Sequence, residues 1–332
     1  MPKIAQIQDA KGARSVKHYP ELFHDFKDAE GDSLFFARQL ESIEAQTYDV
    51  QYPELNGLQV FPVDSSDGEG CDTITYRTYD RAGMAKVGSS AYGGDIPMSE
   101  STGKETTVKV ALITMGFYYT TEEIRRAQRA GLPLEQRRAD AASWGIQTAV
   151  NKIAFGGDAE TNLNGLFTHP NVPLTQVPLN GGATSRLWVN KTADEILTDL
   201  NKVVNDIWNN SKTVEKPNML LLPPAQYQLI ATKRIGAAND VSVLTYFLAN
   251  NQFINSKDQI RPCFELTGAG TGGTDVVVAY TKDPRKLRLK LPMPMKWQPE
   301  QRIGLKFEVP GEATCAGLVI YYPLSVNIAY GI

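Results

Sequence analysis

Three cysteines, three histidines and no long apolar run mark what this 332-residue chain does without. Cys71, Cys263 and Cys315 are far apart and odd in number, which argues against a disulfide framework and against a zinc site of closely spaced pairs. Reduced, partly buried thiols are the expectation. His18, His24 and His169 form no H-x-x-x-H pair, and His169 sits before Pro170 in a turn, so nothing points to a catalytic histidine. No segment approaches the ~20 apolar residues that span a bilayer. Met1 to Arg14 is polar and mixed in charge, unlike a signal or transit peptide, and places the chain in the cytosol by default. Charge of one sign is also scarce, with 34 Lys and Arg against 37 Asp and Glu and a net charge of -3. That balance argues against a dedicated nucleic-acid binder and leaves room only for loose contact through a local patch.

Catalytic and cofactor motifs are equally thin. Gly268-Ala-Gly-Thr-Gly-Gly273 has the G-x-G-x-x-G spacing, but a strand follows it where a dinucleotide site needs a helix, so it reads as a surface loop. Gly103-Lys104 resembles the end of a phosphate-binding loop, yet Glu105 stands where Ser or Thr is required. No G-x-S-x-G nucleophile elbow occurs. Asp64, Asp67, Glu69 and Asp72 crowd one glycine-bearing loop without calcium-loop spacing, and read as a solvated turn. No cofactor and no metal site is expected, and an enzyme is the least favoured class.

What is present is a long stretch with no core of its own. Residues 1 to about 32 read as an extended arm, Ser33 to about Tyr48 as an attachment helix, and 52–63 as extended, since Pro53 and Pro62 forbid a continuous helix. Thr73 to Tyr79 alternates β-prone residues on two faces, Ala82 to Pro97 is rich in Gly, Ser and Ala, and Thr106 to Thr114 reads as a returning strand. An isolated two-stranded ribbon is marginal in water, so packing must come from outside it. The simplest supplier is another copy of the chain.

A long helix follows directly, from about Thr121 to Phe155, about 50 Å if continuous. Thr120-x-x-Glu123 is a capping box at its start, Gly131-Leu-Pro133 a kink, and Gly156-Gly157 its stop. Ala139, Ala142, Gly145 and Ala149 are small enough to admit another backbone. Arg125, Arg126, Arg129, Arg137 and Arg138 are read in two ways: a solvated face paired with Glu122, Glu123, Glu135 or Asp140, or contact with acidic neighbours or nucleic acid. Beyond it, Thr192-x-x-Glu195 opens a second amphipathic helix, Met219–Leu222 and Asp275–Tyr280 are buried strands, and Leu287–Leu291, Gly304–Val309 and Gly317–Tyr322 are strands separated by prolines. Ile260 to Leu266 is expected to be extended. The fold class is α+β without regular βαβ alternation.

The order of these elements resembles the major capsid proteins of tailed bacteriophages with the Hong Kong 97-type fold. An arm, an extended loop on Thr73 to Thr114, a spine helix, Gly156-Gly157, then Gly165-Leu-Phe with Pro170 carry the resemblance. So does the closing Tyr322-Pro-Leu-Ser-Val-Asn-Ile-Ala-Tyr-Gly-Ile332. It covers nearly the whole chain. It implies residues 1–50 as N-terminal arm and helix, 51–115 as extended β-hairpin loop, 116–185 with 296–332 as peripheral domain, and 186–295 as axial domain.

Function follows as an expectation from the resemblance. The chain would be a structural subunit that self-assembles as pentamers and hexamers into an icosahedral head enclosing double-stranded DNA. It would sit in the virion after assembly in the host cytoplasm. The alternative is an encapsulin-like compartment holding protein cargo. Tyr76, Tyr79, Lys86, Tyr92, Lys104, Arg125 and Arg129 are the expected intersubunit contacts, tyrosine because it buries area with little loss of rotamer freedom. Some family members cross-link a loop lysine to a neighbour's asparagine; Lys86 and Lys104 lie in the matching segment, but no acceptor is identifiable. Scaffolding, portal or decoration proteins would be separate partners, packaged DNA would be held by weak non-specific contact, and no membrane is involved.

Overall fold

The structure is a computed structural model that describes residues 52–82, 99–130, 134–236 and 240–332. The arm, the Ser33–Tyr48 helix, the loop tip and the Gly131–Pro133 kink lie outside the described residues.

In chain order, a one-turn helix α1 (Gly57–Val60) leads to β1 (Val63–Asp64), β2 (Thr73–Ala82), β3 (Glu100–Lys109) and β4 (Ala111–Thr120). Two helices follow, α2 (Thr121–Ala130) and α3 (Leu134–Gly156), then β5 (Leu174–Gln176) and α4 (Ala193–Asn210). Next come β6 (Met219–Leu222), α5 (Pro224–Thr232), α6 (Val243–Asn250), β7 (Ile260–Pro262) and β8 (Val276–Tyr280). The chain closes with β9 (Leu287–Lys290), β10 (Met293–Trp297), β11 (Gln301–Ile303), β12 (Lys306–Cys315), β13 (Gly317–Ile320) and β14 (Val326–Tyr330). Among the described residues no helix is long and apolar enough to cross a membrane.

The two proline bounds left room for α1, where extended chain was expected. One turn needs only the Asn56 carbonyl, which accepts from the amides of Gln59 and Val60. Pro62 acts on the residue before it, and Phe61 is extended at ψ 144°. Val60 and Phe61 are buried, with the Phe61 ring 5.3 Å from that of Phe155. This segment therefore belongs to the body of the subunit.

The expected returning strand Thr106–Thr114 divides between two sheets. β3 pairs with β2 through Thr73 opposite Lys109, whereas β4 pairs with β12 from Ala111 opposite Cys315 to Thr120 opposite Lys306. At the break, the Val110 amide donates to the Asp72 carbonyl and closes the base of the hairpin. Ile260–Leu266 is likewise shorter as a strand than expected, because Phe264–Leu266 is a 3-10 turn.

A five-stranded sheet in the order β5-β14-β8-β6-β7 separates two cores. Side chains alternate across a strand. Met219, Leu221, Val276, Val278, Tyr280, Val326 and Ile328 point to the core containing α3, while Leu220, Leu222, Val277, Ala279 and Ala329 point to the core built on α4, α5 and α6. The Thr192–Glu195 capping box that starts α4 is complete, and Ile196, Leu200, Val203, Val204 and Ile207 form its buried stripe.

Among the described residues α3 is the longest helix, about 35 Å by its rise per residue. Ala142, Ile146, Val150 and Ala154 recur every four residues and are buried. Gly145 leaves room for Met115 of β4, whose sulfur occupies the space a Cβ would need. The expected close neighbour of that face is thus a side chain of the same subunit. Asn151 is the polar exception on the buried side: its Oδ1 accepts from the Gly57 amide at 2.7 Å, and its Nδ2 donates to Glu265 at 2.9 Å. At the end of α3 the chain crosses itself. Gly157 has φ +69°, and a Cβ on Gly165 would collide with the Gly157 nitrogen. These glycines close the turn that the sequence marks with Gly156-Gly157 and Gly165-Leu-Phe.

Candidate intersubunit surfaces

β2 and β3 form the hairpin expected of the extended loop, ten residues on each strand. Its faces are held by short polar side chains more than by apolar ones. Thr75 and Thr107 share a hydrogen bond of 2.9 Å, and Arg77 Nε donates to Glu105 Oε1 at 2.6 Å. Such exposed pairs contribute only about 0.2–1 kcal/mol each. The ribbon needs a further anchor.

That anchor is at its root. The acidic turn before β2, expected to be solvated, meets a basic row on β9 and β10. Asp64 Oδ2 accepts from Arg288 and from Lys290, each at 2.7 Å, and Lys290 also donates to Asp67 at 2.7 Å. Glu69 pairs with Lys296. Burial works against the Asp64 carboxylate, but hydrogen bonds from Lys290, Arg288 and Ser66 together outweigh it and hold its pKa well below the usual range. Burial likewise opposes the Lys290 charge, and its bonds to Asp64 and Asp67 prevail and raise its pKa.

Tyr76 completes the attachment by packing edge-on against Tyr321, 4.9 Å between centroids. Its ring is thus engaged within its own subunit. The hairpin base and the body enclose a cleft of about 670 Å³, lined among others by Tyr76, Lys104, Asn162, His169, Leu318 and Tyr321.

The other expected contacts divide. Tyr79 is 68% exposed and lies across Gly103 on β3. Lys104 is exposed opposite Thr78. Lys86 and Tyr92 lie outside the described residues. Arg125 and Arg129 are exposed on α2, whose Thr120–Glu123 capping box is formed. Their neighbours follow the charge-paired reading: Arg126 bonds Glu122, and Arg138 bonds Glu123 at 3.0 Å. The Arg138 guanidinium and the Thr120 amide lower the Glu123 pKa to about 2.

One further surface lies outside these expected contacts. β4 carries no charged residue over its ten positions and, among the described residues, pairs only with β12, so its second edge has no strand partner there. Leu112 and Tyr118 are exposed on it, and Leu305, 72% exposed, stands at the tip of the adjoining β11–β12 turn. The signal lay in the sequence as an uncharged, β-prone run directly after the Lys109 of β3.

The 268–273 loop is exposed through most of its length and leads into β8. All three cysteines are free, with burial raising the Cys263 thiol to about 12 and that of Cys315 to about 11. His169 is half-buried, which lowers its pKa. Among the described residues no group of three His, Cys, Asp or Glu is placed to hold a metal ion.

The comparisons agree with this architecture. A family model described as "Major capsid protein" matches residues 83–332, and the chain belongs to that family. In structure it is similar to the capsid of Myoviridae phage XM1, at 17% identity, covering 89% of this chain and 98% of that one, with a TM-score of 0.76. A chain of Mycobacterium phage Ogopogo is similar at 13% identity, with coverage of 89% and 98% and a TM-score of 0.59. The capsid of a native GTA particle is similar at 9% identity, with coverage of 91% and 99% and a TM-score of 0.61. At such identities the likeness is one of fold, the Hong Kong 97-type fold of phage capsids. No curated protein matches the chain. The nanocompartment alternative is less well supported, since the family model and these structures are those of capsids.

Proposed function

We propose that this capsid protein self-assembles as pentamers and hexamers into an icosahedral phage head that encloses double-stranded DNA, and so acts as structure rather than as catalyst. The observation that carries the reading is the family match over residues 83–332. The geometry supports it: a hairpin with an anchored root and the unpaired edge of β4 offer separate contacts to different neighbours. Many modest contacts in a closed symmetric shell reinforce one another.

In this reading residues 116–185 and 296–332 form the peripheral domain and 186–295 the axial one. The exposed Tyr79, Lys104, Arg125 and Arg129 meet neighbouring subunits, joined by Lys86 and Tyr92 of the loop, while Tyr76 fixes the angle of the hairpin. The site of action is the virion, after assembly in the host cytoplasm, with scaffolding, portal or decoration proteins as separate partners.

The test is to purify particles from cells that express the full chain with the other head genes of its phage, then to image them and weigh their components. Closed shells in which this chain dominates by mass are the expected result. Particles lacking the chain would overturn the reading.

A further inference from the structure

One end of the five-stranded sheet gathers positive charge in a chain whose net charge is -3. Two connections run side by side there, 211–218 between α4 and β6, and 281–286 between β8 and β9. Thr281 Oγ1 donates to the Lys216 carbonyl at 3.0 Å, and the Lys282 amide donates to Asn218 Oδ1 at 2.6 Å. Arg261, on β7 opposite Leu221, stands beside them. It is close enough that its charge adds to burial in lowering the Lys282 pKa.

The segments 212–216 and 282–286, with Arg261, hold six cations and two acids. Both acids are engaged. Glu215 is buried and bonded to Lys286 at 2.5 Å, and Asp283 accepts from the Arg285 amide at 2.8 Å. Lys212, Lys216, Arg261 and Arg285 are exposed, with no carboxylate within ion-pair distance among the described residues. Elsewhere on the surface some exposed cations, such as Arg77, Arg126 and Lys296, have acid partners, and others, such as Lys104 and Lys109, have none among the described residues.

We propose that this sheet end is a binding surface for the phosphate backbone of duplex DNA, through Lys212, Lys216, Arg261 and Arg285. The assignment rests on the capsid reading, to which it adds the residues that touch the packaged polymer. Backbone cross-bonds at Lys216 and Lys282 hold the two connections together, so it is the long side chains that must be ordered on binding. They come from three separate segments and offer donors only, the pattern that suits a repeating anion rather than a base sequence. Binding is therefore salt-sensitive and indifferent to sequence. An acidic protein face is the rival occupant, because the exposed Val214 lies between the two lysines.

The experiment titrates a fluorescent random-sequence duplex with the full-length unassembled protein at several salt concentrations. It compares wild type with the charge-reversed Lys212→Glu/Lys216→Glu/Arg285→Glu variant and the milder triple glutamine variant, both checked for folding by circular dichroism. In the glutamine variant the slope of log K against log salt should shrink by about 3, about one for each phosphate no longer neutralised. In the reversed variant affinity at low salt should fall more than tenfold. Wild type that fails to bind DNA, or a folded glutamine variant with unchanged slope, overturns the proposal. Displacement of DNA by polyglutamate at equal charge would assign the surface to an acidic protein. Shell formation is scored separately, by microscopy. Failure to form shells with unchanged DNA binding would make the patch an interface between copies, and wild-type chain absent from particles would remove the capsid reading itself.

Discussion

Tyr76 meets Tyr321 edge to face, 4.9 Å between ring centroids, and so ties the middle of a hairpin strand to the body of the same subunit. Such a pair contributes about 0.5–1.5 kcal/mol beyond its buried area. Tyr76→Ala should leave the melting of the body almost unchanged and speed hydrogen exchange in β2 and β3. Mass spectrometry of peptides covering 73–82 and 100–109 measures this, and unchanged exchange there would show that the ring does not hold the hairpin.

The acidic turn should behave as a pH-dependent fastening. Asp64 has a lowered folded pKa, so its contribution is fully present above the unfolded carboxylate value near 4 and is lost as pH falls through the folded value. Lys290 has a raised folded pKa, so its share is present below the unfolded value near 10.4 and is lost as pH rises through the folded one. Asp64→Asn should cost about 1–3 kcal/mol at neutral pH, Asp67 retaining part of the Lys290 interaction. The gap between variant and wild type in urea melts should be flat from about pH 5 to 9 and close below about pH 4. A gap that persists undiminished at pH 2 would contradict the ion-pair account.

Gly165→Ala should be among the most damaging small substitutions. The new methyl would lie 2.7 Å from the carbonyl oxygens of both Ile153 and Phe155, besides its clash with Gly157. These are backbone atoms at the end of α3 and cannot step aside. A loss of about 1–3 kcal/mol, or failure to fold, is expected, and a variant that melts with wild type would show the crossing to be loose.

Thiol chemistry separates the cysteines. Cys71 is half-buried in the turn, donating to the Gly68 carbonyl, while Cys263 and Cys315 are buried with raised pKa values. Ellman's reagent at pH 8 should titrate Cys71 in the native protein and all three thiols in denaturant. Rapid native reaction of Cys263→Ser protein at two sites would refute the burial of Cys315.

Much of the local structure was legible because it is written in local chemistry. Both capping boxes, the buried Met219–Leu222 strand and the glycine stop of α3 follow from neighbours in sequence. The division of Thr106–Thr114 between two sheets was not legible, since the run is uniformly β-prone and the choice of partner is made by β12, about two hundred residues away. β14 is a short run buried on both faces, with Asn327 satisfied by the Val203 carbonyl, so it lacks the alternation that marks a strand. The Asp64 turn read as solvated because its partners Arg288 and Lys290 stand 224 and 226 positions along. Of the expected contacts, Tyr79, Lys104, Arg125 and Arg129 are exposed, whereas Tyr76 has a partner at home that no spacing could announce.

The sheet β5-β14-β8-β6-β7 is a party wall, lined on both sides by the same strands. Inserting a single residue into β8 would exchange the two linings downstream, carrying Val278 to the α4 room and Ala279 to the α3 room. Each room has further walls of its own, α3 with β9 and β13 on one side and α4 to α6 on the other, but the partition serves both, so one slip in it disturbs both.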